Sequence, residues 1–335
     1  MVEIGSEFWK ADVKETQNEL FPADTKWFLS GQNALNYIIS DIQKKHDIHT
    51  VALPSWCCDS MVIPFSILEF DINFYPVSFE NGLLKQEIDK NCDVILVLDY
   101  FGYSSEYDYS SYPGIVIRDM THSLFSKKYN DAEYYFGSLR KWTGVYTGGY
   151  AWSKNTWKTE AVIQETDKDF VLMRRKAMEL KADYISGKNT KKDFLTYFNN
   201  AEDILDMDNL HGIFYAEQSD IIAAQKLDVH FIKKQRRKNA QILLDVLSDL
   251  AMFPVLGEND CPLFVPIMVE ERDKLKNYLI QNQIYCPSHW PLSKLHKLNA
   301  ETIMLYKHEL SLVCDQRYTK DEMEVLAAAI VDFIR

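Results

Sequence analysis

The chain has 335 residues, 47% hydrophobic and 13% aromatic, with 10 prolines and 12 glycines, a composition that excludes a disordered or fibrous protein. It is long enough for a large domain with a substantial core plus a smaller one. A formal net charge of -12 argues against a general nucleic-acid binder, because the phosphate backbone is held mainly by positive charge; an anionic ligand would need local cations or helix N-termini.

The N-terminus lacks a basic segment followed by an apolar one, so no signal peptide is expected, and no apolar stretch approaches membrane-spanning length. The six cysteines, Cys57, Cys58, Cys92, Cys261, Cys286 and Cys314, show no CxxC spacing, which fits a reduced, cytoplasmic chain. Neither Cys57 and Cys58 nor His46 and His49 have further ligands at metal-binding spacing, so no metal partner is expected.

Residues 1–29 carry scattered aromatics, Phe8, Trp9, Phe21, Trp27 and Phe28, and read as an arm packing on the body. Ala34, Leu35, Ile38, Ile39 and Ile42 then recur at helical spacing after Ser30 and Gly31, predicting a glycine-opened helix. Its first N–H groups and its dipole favour an anion such as phosphate, though a plain capped helix carries the same signature. Residues 50–53 read as a buried strand ended by Pro54. Trp56 then falls in the turn at the C-terminal end, where open α/β sheets place ligands. It is either a stacking surface for a flat ring or a half-buried core residue. Residues 71–77, 93–98 and 114–118 read as further strands, the second almost continuously apolar, as in parallel sheets covered on both faces. Asp119 and His122 follow at the exit of the third, where a turn former and a structural histidine would look the same.

A short apolar run at 134–136 leads to Ser138 and Lys141, with Gly144, Gly148 and Gly149 beyond. A lysine so placed can leave a sheet edge and enter a pocket. Its amine is a nucleophile when neutral, a form that burial or neighbouring cations such as Arg140 favour, and the chemistry it suggests is an imine. The glycines match neither GxGxxG nor the P-loop. From 157 to 250 the pattern is mostly helical, with a break at 185–189; residues 190–211 are less periodic and are expected to form a loop over the pocket. The basic run 233–238 opens a helix and reads as a solvated face. After Pro254 strand and helix alternate at shorter spacing, through 263–269, a helix at Arg272–Gln281, 284–286 and a last helix at 321–334.

Six stretches, in one order, resemble pyridoxal-phosphate enzymes of the aspartate aminotransferase fold (fold type I), in particular the DegT-type sugar aminotransferases. They are Ser30-Gly31-Gln32-Asn33-Ala34-Leu35, Leu53-Pro54-Ser55-Trp56, Arg118-Asp119-Met120-Thr121-His122, Ser138-Leu139-Arg140-Lys141 with Gly148-Gly149, Ser288-His289-Trp290-Pro291-Leu292, and Cys314-Asp315-Gln316-Arg317-Tyr318. The resemblance implies an α/β fold: a three-layer α/β/α large domain with a mostly parallel sheet, plus a smaller C-terminal α+β domain. The expected boundaries are 1–29 for the arm, 30–232 for the cofactor domain and 233–335 for the small domain.

The resemblance also implies roles. Lys141 would hold pyridoxal 5'-phosphate as an imine and act as general base and acid. Gly31, Gln32 and Ser138 would hold its phosphate, Trp56 would stack on its ring, Asp119 would face the pyridine nitrogen and His122 the phenolic oxygen. Gln32 stands where the family more often has Thr, and His122 where relatives often carry Gln. His289 would border the substrate. Arg317 would hold the carboxylate of an amino-acid donor, unless it is a structural residue of the turn before the last helix. The implied reaction is amino transfer from a donor such as glutamate to a keto acceptor, with a nucleotide-linked keto sugar as one such acceptor, in a homodimer. Two other readings stand beside it: another pyridoxal-phosphate reaction, such as decarboxylation, racemisation or carbon–carbon bond chemistry, and a relative that has lost catalysis and serves as a binding protein. The lysine argues against the family's dehydratase branch, which carries histidine there.

Overall fold

The computed structural model describes residues 3–80, 82–88 and 91–335. In chain order its elements are β1 (Ile4–Gly5), β2 (Lys26–Phe28), α1 (Gly31–Lys45), β3 (Thr50–Pro54), α2 (Asp59–Ile67) and β4 (Asp71–Tyr75). They continue with β5 (Val77–Glu80), β6 (Leu83–Gln86), β7 (Val94–Leu98), β8 (Ile115–Asp119), β9 (Tyr134–Ser138), a 3-10 turn (Leu139–Lys141) and β10 (Gly149–Ser153). Then come α3 (Lys168–Ile185), α4 (Phe194–His211), α5 (Gln218–Gln225), α6 (Val229–Leu247), β11 (Phe264–Met268) and α7 (Arg272–Gln281). The last are β12 (Ile284–Tyr285), α8 (Ala300–His308), β13 (Glu309–Val313) and α9 (Lys320–Ile334). Contacts divide the chain into a first unit, Glu7–Ile48 with Glu133–Val229, and a second, Met1–Ser6 with His49–Ala132 and His230–Arg335.

In the first unit β10 runs antiparallel to both β2 and β9, with Gly149 opposite Phe28 on one side and Ser138 on the other. Helix α1 packs on these strands through the stripe read in the sequence: Ala34, Leu35, Ile38, Ile39 and Ile42 are all fully buried. Lys44 and Lys45 close its last turn, where the helix dipole favours cations. Helices α3 and α4 pack together. The helix α4 stands where a loop was expected. Phe194, Phe198, Ala201 and Leu205 recur at intervals of four, three and four residues, and they bury against Phe170, Val171, Ala177 and Met178 of α3. Leu195, Ile204, Met207 and Leu210 stand between and beyond these positions, so the stripe is blurred in the sequence and becomes decisive only when α3 supplies its partner surface.

In the second unit β4, β3, β7 and β8 are parallel neighbours, registered through Leu53 with Phe74, Ala52 with Ile95, and Leu98 with Asp119. All five residues of β7 and of β8 are buried, as parallel strands covered on both faces require. The register brings the segments after β3, β7 and β8 to one edge, and these carry Trp56, Tyr100 and His122. The same unit holds the antiparallel pair β11 and β13, whose Val265, Ile267, Leu310 and Leu312 pack with Leu243, Leu275 and Leu326 of α6, α7 and α9. The chain is thus α/β with a parallel sheet core, as expected. The strand expected at 71–77 breaks at Pro76 into β4 and β5, and residues 157–167 precede rather than begin the helix α3. Among the described residues no helix is long and apolar enough to cross a membrane.

Candidate functional site

In the first unit the start of α1 and the end of β9 meet. Ser30 caps α1 in an extended conformation, its Oγ accepting from Asn33 N–H at 3.1 Å and donating to Asn209 Oδ1 at 2.5 Å. A Cβ added to Gly31 would lie 3.4 Å from Ser138 Cβ, so Gly31 is where the helix start touches the strand end. A Cβ at Gly149 would come within 1.9 Å of the Ser30 carbonyl oxygen; only glycine lets β10 run against the cap. The start of α1, whose first N–H groups come from Gly31 and Gln32, thus meets the end of β9 at Ser138.

Lys141 ends the 3-10 turn that follows, three residues past Ser138, and is exposed while its neighbour Trp142 is fully buried. The following loop is pinned by Asp220, which accepts from the Tyr146 and Thr147 N–H groups at 3.2 and 2.7 Å and from the Thr147 hydroxyl at 2.7 Å. Around Lys141 the charges are mixed: Arg140 pairs with Glu202, and Arg174 lies 3.4 Å from Glu7 and 3.2 Å from Glu202. Burial works against ionisation of Glu7, but Arg174, Arg140, Lys141 and Lys181 outweigh it and hold the carboxyl down to about 2.

In the second unit Trp56 is fully buried, one face stacked on Tyr100 with centroids 5.0 Å apart and its edges met by Phe79 at 5.6 Å and Trp290 at 5.7 Å. Its Nε1 has no hydrogen-bond partner among the described residues. Asp119 is the last residue of β8 and only 5% exposed. Its Oδ1 accepts from Thr121 N–H at 2.7 Å, yet burial pushes the carboxyl up to about 6, and the charge that acts on it is another acid, Asp99. His122 Nδ1 accepts from Phe101 N–H at 3.3 Å, which leaves a proton at Nε2 of the neutral ring. The ring stacks on Trp290 at 5.6 Å and meets His289 edge-on at 5.4 Å.

Trp56, His122 and His289 therefore belong to one aromatic cluster with Trp290, Tyr100 and Phe101. Arg317 has other contacts: its Nε and one terminal nitrogen each lie 2.8 Å from Asp315, and that nitrogen also donates to the Ser6 carbonyl at 3.1 Å. Tyr100 further lines a cavity of about 420 Å³ with Tyr103, Ser104, Tyr107, Phe253 and Asp260, none of them among the residues singled out from sequence. Sequence reading also missed Glu309 and Ser311, which hold His289 from behind; the signal available was the alternation Glu309, Ser311, Val313 against Leu310, Leu312 in a strand.

No family model and no curated protein matches the chain. Solved structures do. PseC of Helicobacter pylori, an aminotransferase involved in the biosynthesis of pseudoaminic acid, is 13% identical with a TM-score of 0.63, over 98% of this chain and 99% of its own. A DegT-type aminotransferase from Brucella abortus is 15% identical with a TM-score of 0.61, over 92% of this chain and 85% of its own. A putative sugar aminotransferase from Streptococcus pneumoniae, solved in a PMP form and a PLP form, is 12% identical in the former with a TM-score of 0.61, over 97% of this chain and 98% of that one. Over nearly its whole length, the chain has the fold of these DegT-type aminotransferase structures.

Proposed function

We propose that the protein is a pyridoxal-phosphate-dependent aminotransferase that moves an amino group from an amino-acid donor, glutamate, to a keto acceptor, a nucleotide-linked keto sugar. The observation that carries this reading is Lys141 three residues past Ser138, where the strand end meets the glycine-opened helix, in a chain with the fold of DegT-type aminotransferases. The residues suit the cofactor. The meeting of Gly31 and Ser138 has the helix start and the hydroxyl that a phosphate needs, and Asp119 is a buried carboxyl with no paired cation among the described residues.

When bound, the cofactor supplies an electron sink for charge developing at the substrate carbon. Lys141 would hold the cofactor, and its amine would serve as the base and acid that moves a proton during the transfer. Gly31 and Gln32 would donate N–H groups, and Ser138 its hydroxyl, to the phosphate. Asp119 would face the ring nitrogen and favour its protonated form, His122 would donate Nε2–H to the ring oxygen, and Trp56 would offer an aromatic surface. His289 borders the substrate, and Arg317 would take the donor's carboxylate by exchanging it for Asp315. On this reading the cofactor residues fall within 30–232 and the substrate-side pair within 233–335, and the working form is a homodimer.

The test is the visible spectrum of protein purified with added pyridoxal phosphate, before and after glutamate. The expected result is an absorption band of lysine-bound cofactor that glutamate converts to the amine form, and its complete loss in Lys141→Ala. A band indifferent to amino donors would overturn the transamination; a band retained by Lys141→Ala would overturn the role of the lysine.

A further inference from the structure

Glu309 opens β13 with its side chain fully buried, and Ser311, two residues on, shares its face of the strand. The carboxyl holds two partners at once. Its Oε2 accepts from the His289 backbone N–H at 2.6 Å, and its Oε1 accepts from the Ser311 hydroxyl. Ser311 Oγ lies 2.8 Å from Nδ1 of the His289 ring. Carboxyl, hydroxyl and imidazole form an unbroken line, and the ring lies among Phe101, Phe264, His122 and Trp290 at centroid distances between 5.1 and 5.5 Å.

A serine hydroxyl has one proton, so the line has two consistent arrangements. With Glu309 ionised, Ser311 donates to it and accepts from His289 Nδ1–H, leaving the lone pair on Nε2. With Glu309 protonated at Oε1, the carboxyl donates to Ser311, Ser311 donates to Nδ1, and the ring proton sits at Nε2.

We propose that Ser311 and Glu309 form a proton relay behind His289, in which the imidazole takes up a proton at Nε2 and passes its Nδ1 proton to Ser311, whose own proton moves to Glu309 Oε1. One N–H bond forms at Nε2 and one breaks at Nδ1; Ser311 exchanges one O–H bond for another, and a new O–H bond forms on Glu309. The ring ends neutral and nothing is oxidised or reduced. The surroundings favour this over a buried imidazolium beside a carboxylate, a pair that desolvation penalises. Burial pushes Glu309 up to about 8, against the pull of the His289 N–H, the Ser311 hydroxyl, Arg272 and Lys276.

The ionisable groups on the packed elements are few. Helix α7 brings Arg272, which binds the Glu309 and Tyr306 carbonyls at 2.9 and 3.2 Å, and Lys276, 3.1 Å from Ser288 Oγ. Helix α8 ends in His308, whose Nδ1 is 3.2 Å from the Val269 carbonyl. Cys286 follows β12, its thiol pushed by burial to about 12, and His122 faces the ring; β11 brings none. Glu309 and Ser311 are thus positioning residues that act through His289.

The inference deepens the reading of His289 as a substrate-side residue, but its test reads the ring itself and so stands or falls apart from the cofactor. Protein labelled with nitrogen-15 histidine is titrated from about pH 6 to about pH 10 and followed by two-bond nitrogen–proton correlations, which separate the two tautomers and the imidazolium. The His289 signals are those lost in His289→Gln. The expected result is a switch from the Nε2–H to the Nδ1–H tautomer with a midpoint near 8 and no imidazolium. In Glu309→Gln the amide donates permanently to Ser311 and holds Nε2–H throughout; in Ser311→Ala the switch near 8 is lost. A wild-type ring that keeps one tautomer across the range overturns the relay, as does a Glu309→Gln ring that switches where the wild type does. The wild-type titration decides the matter even where a variant fails to fold.

Discussion

Arg118 and Asp119 are neighbours on β8 with opposite surroundings, because successive side chains of a strand point to opposite faces. Arg118 is fully buried between Asp99, 2.6 Å away, and Asp131, 2.5 Å away. Asp119 is left on the other face, with no paired cation among the described residues, and is pushed up to about 6 by burial. Below that pH it is a neutral acid and no longer a counter-charge for a protonated ring nitrogen, so cofactor retention should fall as pH drops through 6. The cofactor's own phosphate titrates in the same range. The comparison is therefore between wild type and Asp119→Asn, by equilibrium dialysis at a series of pH values. The wild type should lose affinity more steeply than the variant, whose affinity is lower at pH 7 by tenfold or more; parallel curves would remove Asp119 from the site. At Gly31 a methyl group would sit at ordinary contact distance from Ser138 Cβ, 3.4 Å, between the two groups proposed to hold the phosphate. Gly31→Ala should leave stability unchanged or raise it by up to about 1 kcal/mol, since Ala is the better helix former. Affinity for pyridoxal phosphate should weaken by about tenfold or more, equal to about 1.4 kcal/mol. Equal affinity in both proteins would place the phosphate elsewhere.

At the scale of elements, helix α1 and strand β10 are locked by backbone contact. A Cβ on Gly149 would meet the Ser30 carbonyl carbon at 2.3 Å and its oxygen at 1.9 Å, and neither can swing aside as a flexible side chain would. Gly149→Ala should therefore displace the helix start from the sheet, costing about 3 kcal/mol or more and lowering the thermal midpoint well beyond the effect of Gly31→Ala. A midpoint within a degree of wild type would show that the two elements are not rigidly joined. The contrast marks what sequence makes legible. The α1 stripe and the apolar run of β7 declare themselves because each repeats a period over its whole length. Ser138 and Lys141 were singled out through motif order, and the structure sets them at the end of β9 and in the 3-10 turn after it. Helix α4 was not, because its buried apolar positions acquire meaning only against α3, and the pairing of Arg317 with Asp315 was not, because only the fold decides which carboxylate an arginine grips. Glu309 is the sharpest case: a glutamate heading a strand reads as an exposed edge residue until β11, α7 and His289 close over it.

For the molecule as a whole, the acids whose pKa the fold shifts set how stability depends on pH. Glu309, at about 8 in the fold against an ordinary 4.5, holds a proton that the unfolded chain gives up. Its contribution is fully present below about 4.5, declines as pH rises, and is gone above about 8. Asp119 and Asp208, both raised to about 6, act in the same direction at lower pH. Glu7, held at about 2, acts oppositely, adding stability above its ordinary 4.5 that is lost as pH falls toward 2. His296, which burial keeps below 6.5, also gains as pH rises to that value. The net charge of -12 grows more negative with each proton lost, and self-repulsion adds to the decline on the alkaline side. Stability should accordingly pass through a maximum in mildly acid solution and fall from there to pH 8, by up to roughly 1.4 kcal/mol per pH unit from Glu309 alone. Glu309→Gln carries a neutral side chain of the same shape and cannot titrate. Unfolding by denaturant should then give nearly equal stabilities for the two proteins near pH 5, the variant pulling ahead as pH rises and the difference levelling off above about 8. A constant difference across the range would mean that Glu309 is ionised in the folded protein throughout, and that its proton plays no part in the stability of the fold.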